Sequence, residues 1–400
     1  EVSGASPEPI LSVAPWILCL SPPAATTIHS TALIHCIPNC TDLWGLTCKQ
    51  SQNKDPPFLT SPRGHILTLN YNAEDEDRIV KEIFAIEVGS SIDGAPLTVS
   101  FLLSLCLQYA SAHLHNSDLR RLLLLSASHV QSAMWEWTTK IAVYPGVKGL
   151  NPKDSNLDVP SLNEVISGLR PLVVWMANSL ELLQFIQHQL PLILEWRNRK
   201  EKGWGVEEDW EDAESKEVEN LAMLELHLSH VRSASEETMA VLEEVILLAF
   251  QQCVYYITKF LYPVLPSILD CNPFKESPGY CSQSLGGGGI HIPVEIKQVV
   301  EVLNESWRLL LDCQVHPEVS SQLVGYLFYF INASLFNSLM ERGSEPGFYQ
   351  WSRGVRMRAN LDLVLDWAHA AGLGELALEH TQTLSSAINL LATPRKNLLQ

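Results

Sequence analysis

The 400-residue chain is 46% hydrophobic and 18% charged, which provides enough apolar material for a large core and leaves little of it for long disordered tails. Its formal net charge of −18 argues against nucleic-acid binding, which needs clustered Lys and Arg, and disfavours docking on anionic lipid. The cysteines, nine in number and scattered, favour a reducing, cytoplasmic compartment over a disulfide framework.

Residues 1–64 are predicted to be an irregular segment, because Pro and Ser interrupt them often and no helical period is sustained. The residue types that bind metals cluster here, as His29, His35, Cys36, Cys40 and Cys48. Structural zinc sites use tight Cys-x-x-Cys pairs, so this loose spacing predicts no metal site.

The chain beyond this segment is predicted to form long helices. The acidic run at 74–77 is typical of a helix start and precedes Ile79 and Ile83 on one face. Apolar stretches at 97–115 and 119–143 predict the next two helices.

Two later helix starts are predicted from the capping-box spacing, in which a hydroxyl and a carboxylate three residues apart pair with each other's backbone N–H. Ser161 with Glu164 begins a helix expected to reach Trp196, with bends at two prolines. Ser233 with Glu236 begins another. Loops are predicted near 200–220, which is acidic, and near 282–292, where a glycine run forms a flexible linker rather than a nucleotide loop.

The final third has the most regular helical pattern. Residues 296–311 carry one apolar stripe, and residues 324–336 are apolar nearly all round, which predicts a helix buried on most faces. Residues 353–371 and 375–391 predict two more helices. Because period-two alternation is rare, the predicted fold class is all-α, an elongated multi-helix domain.

The sequence lacks the common catalytic signatures. It contains no Gly-x-Ser-x-Gly elbow, no phosphate-binding glycine loop and no His-Glu-x-x-His motif. No catalytic residue and no cofactor are therefore predicted, although a helical enzyme with an unfamiliar site stays an alternative. A helical-repeat scaffold is a further alternative, disfavoured because the apolar blocks have no fixed period. The longest apolar run, 245–265, contains Gln and Lys, so no membrane span is predicted.

Most aromatic residues are predicted to lie in the core. They are Trp135, Trp137, Trp175 and Trp307, with Tyr255 and Tyr256 in the core or in a groove.

A candidate partner-binding patch consists of Trp351, Arg353, Arg356 and Arg358. Three cations beside an indole could bind an acidic partner. The alternative, which is favoured, is a helix surface whose arginines form internal ion pairs.

Three blocks of sequence occur in a characteristic order, namely Val174–Leu183, Tyr326–Asn337 and Trp351–Val355. Together they resemble the dilute domain, the helical domain of the cargo-binding tail of class V myosins and of afadin. Phe250–Tyr256 and Asn337–Gly343 resemble more specifically the Ras-associating and dilute-domain adaptors (the Radil and Ras-interacting protein type). The resemblance covers about residues 65–400, and loops near 200–220 and 282–292 interrupt it.

This resemblance implies a non-enzymatic protein–protein interaction domain of a cytoplasmic adaptor, acting downstream of Rap- or Ras-type GTPases in cell adhesion and at cell–cell junctions. Other proteins would bind the domain, and the GTPase would bind a region outside this chain. The alternative is the cargo-binding tail of a myosin-type motor, which a preceding heptad coiled coil would favour. Residues 1–64 are either a remnant of a forkhead-associated-like domain or a divergent insertion. Whether the domain forms a homodimer stays open.

Overall fold

The computed structural model describes residues 47–50, 65–86, 95–143, 161–203, 213–274, 292–394 and 396. This part of the chain is almost wholly helical, which confirms the all-α prediction. Two short antiparallel strands, β1 (Thr47–Gln50) and β2 (His65–Thr68), precede the helices. The helices are α1 (Glu76–Ala85), α2 (Thr98–His113), α3 (Asn116–Val143), α4 (Leu162–Gln184), α5 (Leu190–Gly203), α6 (Ala213–Leu261), α7 (Val294–Asp312), α8 (Pro317–Glu341), α9 (Trp351–Ala370) and α10 (Gly374–Leu391).

The segment predicted to be irregular contains strand β1. Cys48 lies in this strand, whereas the rest of the metal-type group, His29, His35, Cys36 and Cys40, lies outside the described residues. The acidic loop is shorter than predicted, because α5 extends to Gly203 and α6 begins at Ala213.

The buried carboxylate of Glu76 connects helix α1 to helix α3. Glu76 is only 1% exposed, and the guanidinium of Arg121 donates to its Oε2 from Nη2 (2.6 Å) and Nε (3.0 Å). The same Nη2 donates to the carbonyl of Ala73 (3.0 Å). Although Arg121 favours the charged form, burial raises the pKa of the Glu76 carboxyl. The acidic helix start thus contributes a specific contact in addition to its dipole interaction.

The capping box predicted at Ser161 is confirmed. The Ser161 hydroxyl accepts from the backbone N–H of Glu164 (3.3 Å), and the Glu164 carboxylate accepts from the N–H of Ser161 (2.8 Å). Helix α4 then continues into α5 through a π-helical turn at Phe185–Gln189. Because Pro191 has no N–H and its ring crowds the carbonyl four residues earlier, the wider turn relieves that clash.

The capping box predicted at Ser233 is wrong. Ser233 lies inside α6, a 49-residue helix that packs against α3, α4, α7 and α8. Val231 and Ala234 are buried, and the Ser235 hydroxyl donates to the Val231 carbonyl (2.9 Å), as mid-helix serines do. The apolar contacts on both sides of Ser233 therefore keep the helix continuous despite the capping sequence.

Helix α2 is capped by a side chain from another helix. Its N-cap residue, Leu97, has no side-chain oxygen, and the buried Asn178 of α4 takes over that role. The Asn178 Oδ1 accepts from the N–H of Ser100 (2.8 Å), and its Nδ2 donates to the carbonyls of Pro96 (2.7 Å) and Val174 (2.8 Å). This one amide satisfies an orphan N–H of α2 and fixes the approach of α2 to α4.

A second buried amide performs a similar task in the C-terminal half. Asn360 of α9 donates from Nδ2 to the carbonyls of Ile268 (2.8 Å) and Cys271 (3.0 Å). These carbonyls lie at the end of the 3₁₀ helix Leu265–Leu269, which follows α6. The contact therefore attaches α9 to the end of α6.

Helices α9 and α10 approach each other closely at Gly354. A Cβ built there would lie 2.5 Å from the carbonyl carbon of Leu391 and 2.6 Å from the nitrogen of Ala392, both of them backbone atoms. Trp351, one turn earlier, donates from its indole Nε1 to the Ala392 carbonyl (2.9 Å). The start of α9 thus packs on, and caps, the end of α10.

Two of the described helices are long and apolar enough to cross a membrane by length and composition alone, so the absence of a membrane span stays a prediction. They lie at Ser229–Leu261, within α6, and at Pro317–Ser344, which contains α8. In the most apolar window of each, 50% and 44% respectively is buried inside the fold. The core helices of soluble proteins meet the same criterion of length and mean hydropathy. A few Gln and Lys side chains do not lower the mean hydropathy of such a helix enough to fail it.

We expect Gly354→Ala to lower the free energy of unfolding by about 1–3 kcal/mol, because the added methyl group would force two backbones apart. The matched control is Gly168→Ala in α4, where the new Cβ would meet only Ile141 at 3.9 Å. That change should be neutral or stabilise the helix by up to about 1 kcal/mol. Urea unfolding followed by circular dichroism measures both, and equal midpoints for the two variants would contradict the close approach.

We expect Asn178→Asp to destabilise the fold by about 1–3 kcal/mol, the cost of leaving buried polar groups unpaired. Aspartate keeps the acceptor for Ser100 but places a second oxygen against the Pro96 and Val174 carbonyls. The control is Asn70→Asp at an exposed position, with the same chemical change. Thermal unfolding measures the effect, and an unchanged midpoint for Asn178→Asp would show that the Nδ2 bonds to Pro96 and Val174 do not stabilise the fold.

A candidate partner-binding surface on helices α6 and α8

Helix α8 has an outer face that is aromatic and uncharged. From Val319 to Met340 its sequence contains no Asp, Glu, Lys, Arg or His. One side of the helix packs into the core through Leu323, Leu327 and Phe328. The opposite side carries, at helical spacing, Tyr326, Tyr329, Phe330, Ala333, Phe336, Asn337 and Met340, each of them partly or fully exposed.

The end of α6 extends this face. Tyr262 is 64% exposed, and its ring lies 6.5 Å from that of Phe330. One to two turns earlier, Tyr255 is 51% exposed, and the ammonium of Lys259 lies 5.4 Å above its ring. We call Tyr255, Tyr262 and the outer face of α8 the aromatic surface.

Tyr329 lies near the middle of the aromatic surface and is 55% exposed. Its ring centroid is 6.1 Å from that of Tyr326, and burial together with Tyr329 raises the pKa of the Tyr326 hydroxyl. The Tyr326 phenol therefore stays a neutral hydrogen-bond donor at physiological pH. Tyrosines of this kind combine a large apolar area with a polar tip, which is why they are enriched at protein interfaces.

The aromatic predictions are right for some residues and wrong for others. Trp175 is buried and stacks on Phe84 at 5.6 Å, and Tyr256 is buried too. Trp135, predicted to be core, is instead 57% exposed, and Tyr255 is exposed as well. Aromatic identity alone could not separate them, because neighbouring residues on one helix point to different faces.

Carboxylates lie at both ends of the α8 face. Glu318, in the first turn, and Glu341, in the last turn, are exposed and lie on the same side of the helix as the aromatic residues. The α8 face is therefore neutral along its middle and acidic at its ends, and Lys259 adds one cation beside Tyr255 on the α6 part of the aromatic surface.

The predicted patch of Trp351, Arg353, Arg356 and Arg358 does not form one continuous face. Arg353 donates to Asp270 (3.1 Å), which also accepts two hydrogen bonds from Arg342 (2.8 and 3.0 Å). Both guanidinium groups lie over the ring of the buried Phe348, that of Arg342 at 4.5 Å and that of Arg353 at 4.8 Å from the ring centroid. Arg353 therefore joins the start of α9 to the end of the 3₁₀ helix that follows α6.

The other members of the patch point elsewhere. Arg358 pairs with Asp362 and donates to Ser385 of α10 (2.6 Å). Arg356 donates only to a carbonyl of its own helix, that of Ser352 (3.3 Å), among the bonds of the described residues. Internal pairing thus accounts for Arg353 and Arg358, while a binding role for the patch stays a prediction.

The described residues contain no group of three or more His, Cys, Asp or Glu side chains placed to hold a metal. Burial raises the pKa of the Cys253 thiol to about 12 and of the Cys313 thiol to about 11. Both thiols are therefore protonated and poorly nucleophilic at neutral pH.

Comparisons with known proteins bear on the family. Residues 322–400 match the family model of the DIL domain. The chain is 38% identical to human Ras-interacting protein 1 over 365 residues, which are 89% of this chain and 35% of that protein. It is 35% identical to the human Ras-associating and dilute domain-containing protein over 402 residues, 98% of this chain and 34% of that protein.

Mouse unconventional myosin-Vb is 28% identical over 102 residues, 25% of this chain and 5% of that protein. The chain spans about a third of the length of Ras-interacting protein 1 and of the Ras-associating and dilute domain-containing protein. It is a dilute-domain protein, related over most of its length to the Ras-interacting and Ras-associating dilute-domain proteins.

Proposed function

We propose that the chain is the protein-interaction domain of a cytoplasmic adaptor that acts with Ras- or Rap-type GTPases in cell adhesion and at cell–cell junctions. The observation that carries this proposal is the identity of 38% and 35% to two relatives named for Ras interaction and Ras association, over nearly the whole chain. The GTPase binds a region outside the helices described above, and other proteins bind the domain itself.

The aromatic surface gives this role a physical basis. A rigid helical scaffold holds Tyr255, Tyr262 and Tyr329 more than half exposed, so little conformational entropy is lost when a partner covers them. Exposed aromatic residues that cluster in this way are typical of interaction sites rather than of an ordinary solvated surface.

A catalytic role has less support. The described residues contain no set of His, Cys, Asp or Glu side chains that could hold a metal, and the raised pKa values of the Cys253 and Cys313 thiols oppose nucleophilic chemistry at those two residues. The relatives named for Ras interaction and Ras association likewise support a role in binding.

The cargo-binding tail of a motor is the second candidate. The likeness to myosin-Vb covers a quarter of this chain, against 89% and 98% for the two adaptors. The extent of similarity thus favours the adaptor. The 102 residues that align with myosin-Vb explain why the motor tail is a candidate as well.

We expect the double variant Tyr262→Ser/Tyr329→Ser to lose bound partners without losing stability, since both side chains are largely exposed. The full chain, immobilised, is incubated with cell lysate, and bound proteins are identified by mass spectrometry. Each truncated interface tyrosine should cost about 2 kcal/mol if it is a hot spot, so capture should fall by well over tenfold.

The matched control is Trp135→Ser, which removes an equally exposed aromatic residue from α3, outside the aromatic surface. It should capture the same proteins as the wild type. Identical capture by the wild type and the double tyrosine variant would refute the role of the surface, and capture of nothing above background would refute the adaptor function.

The cellular role has its own test. In a confluent cell monolayer, a fluorescently tagged chain is expected in the cytoplasm with enrichment at cell–cell contacts. Exclusively nuclear signal, or signal that resists extraction as an integral membrane protein does, would contradict this part of the proposal.

The arginine patch makes a separable prediction. If the patch binds an acidic partner, Arg356→Ala should weaken capture with unchanged unfolding, because Arg356 contacts only its own helix among the described bonds. Arg353→Ala should lower stability by up to about 1 kcal/mol, since it breaks the pair with Asp270. Urea unfolding and lysate capture, measured for both variants, separate the two roles.

A further inference from the structure

Helix α8 is apolar on more of its circumference than the fold covers. The segment Pro317–Ser344 is apolar enough for a membrane span, yet only 44% of its most apolar window is buried. A helix on the surface of a soluble domain normally places charged and polar side chains outward. Here the outward side chains include Tyr329, Phe330 and Met340. This face is therefore suited to be covered by something else.

The face has defined lateral borders. On one side Tyr262, at the end of α6, packs beside Phe330. On the other side α10 packs closely, since a Cβ added at Gly325 would lie 3.0 Å from His380 Nε2 and 3.3 Å from Leu376. Helix α8 itself is 25 residues long, or about 37 Å. An elongated occupant such as a single helix matches these borders better than a loop or a compact domain.

Charge distinguishes the kinds of occupant. The carboxylates of Glu318 and Glu341 lie on the aromatic side at the two ends of α8, in a chain of net charge −18. A second copy of this chain, packed α8 on α8, would set carboxylates against carboxylates whether the two helices ran parallel or antiparallel. An anionic bilayer would be repelled in the same way. A helix with cationic ends would be attracted.

We infer that the aromatic surface binds an amphipathic helix of another protein, with an apolar stripe at its centre and Lys or Arg at both ends. The stripe, repeating at three and four residues, packs on Tyr326, Tyr329 and Phe330. The terminal cations pair with Glu318 and Glu341. This inference rests on the proposed adaptor function and names the chemistry of the partner.

The test uses two synthetic peptides of about 22 residues, a length that matches α8. Both have the same Leu- and Phe-containing amphipathic centre, and they end in Lys-Arg pairs in one peptide and Glu-Glu pairs in the other. Binding to the full chain is measured by fluorescence anisotropy. The basic-ended peptide should bind roughly threefold to tenfold more tightly, the effect of a few exposed ion pairs, and the preference should shrink at about 0.5 M salt.

Charge reversal supplies the decisive variant. Glu318→Lys/Glu341→Lys should reverse the preference, so that the Glu-ended peptide binds more tightly. The matched control is Glu236→Lys/Glu237→Lys, which makes the same change of net charge on exposed residues about 27 Å up α6 from Tyr255. The control should keep the original preference, and circular dichroism should show all variants equally helical.

Truncating the aromatic residues tests the apolar half of the inference. Tyr262→Ser/Tyr329→Ser should weaken both peptides by at least about tenfold, whereas Trp135→Ser should leave them unchanged. Equal binding of the two peptides, no saturable binding, or binding unaffected by the tyrosine variant would each overturn the inference. So would saturable binding to phosphatidylcholine–phosphatidylserine vesicles that the tyrosine variant abolishes, or dimerisation of the chain through the tyrosine face in sedimentation.

The failure of this inference and the failure of the proposed function are distinguishable. If neither peptide binds but the tyrosine variant still loses partners from lysate, the domain is an interaction module for a different kind of ligand. If the tyrosine variant captures the same proteins as the wild type, the surface has no partner at all.

Discussion

The packing of the long helices depends on satisfying helix ends that are buried against other helices. A buried N–H or carbonyl without a partner costs about as much as a hydrogen bond contributes, so each end that enters the core needs a donor or acceptor there. Asn178 supplies this to the start of α2, and Asn360 supplies it to the end of the 3₁₀ helix after α6. Because each amide reaches across from a different helix, the same bond that closes a helix also sets where its neighbour lies.

The sequence predicted the helices well where a local signal decides the matter. The capping box at Ser161 and the apolar stripe of α7 depend on residues three or four apart, and both appear in the structure. The same capping signal failed at Ser233, because the burial of Val231 and Ala234 on either side keeps α6 continuous there. Local pattern determines which segments form helices, whereas tertiary packing decides whether a helix continues.

The candidate site was harder to predict, for a physical reason. Helix α8 is apolar nearly all round, and such a pattern predicts burial on most faces without indicating which face the core leaves uncovered. The answer depends on where α6 and α10 pack, and Tyr329 looks the same in sequence whether it is core or surface. The ion pairing of the arginine patch could not be predicted either. Arg353 and Asp270 are 83 residues apart in the sequence, and only the fold brings them together.

On an uncharged aromatic face with acidic ends, apolar contact and electrostatic interaction contribute differently to recognition. Apolar contact with the tyrosines supplies most of the affinity but discriminates weakly, since many amphipathic helices offer a similar stripe. The carboxylates add little affinity at an exposed site, yet they repel acidic helices, anionic membranes and further copies of the acidic chain itself. In the binding mode inferred above, the net charge of −18 opposes self-association and leaves the aromatic face open to a basic partner.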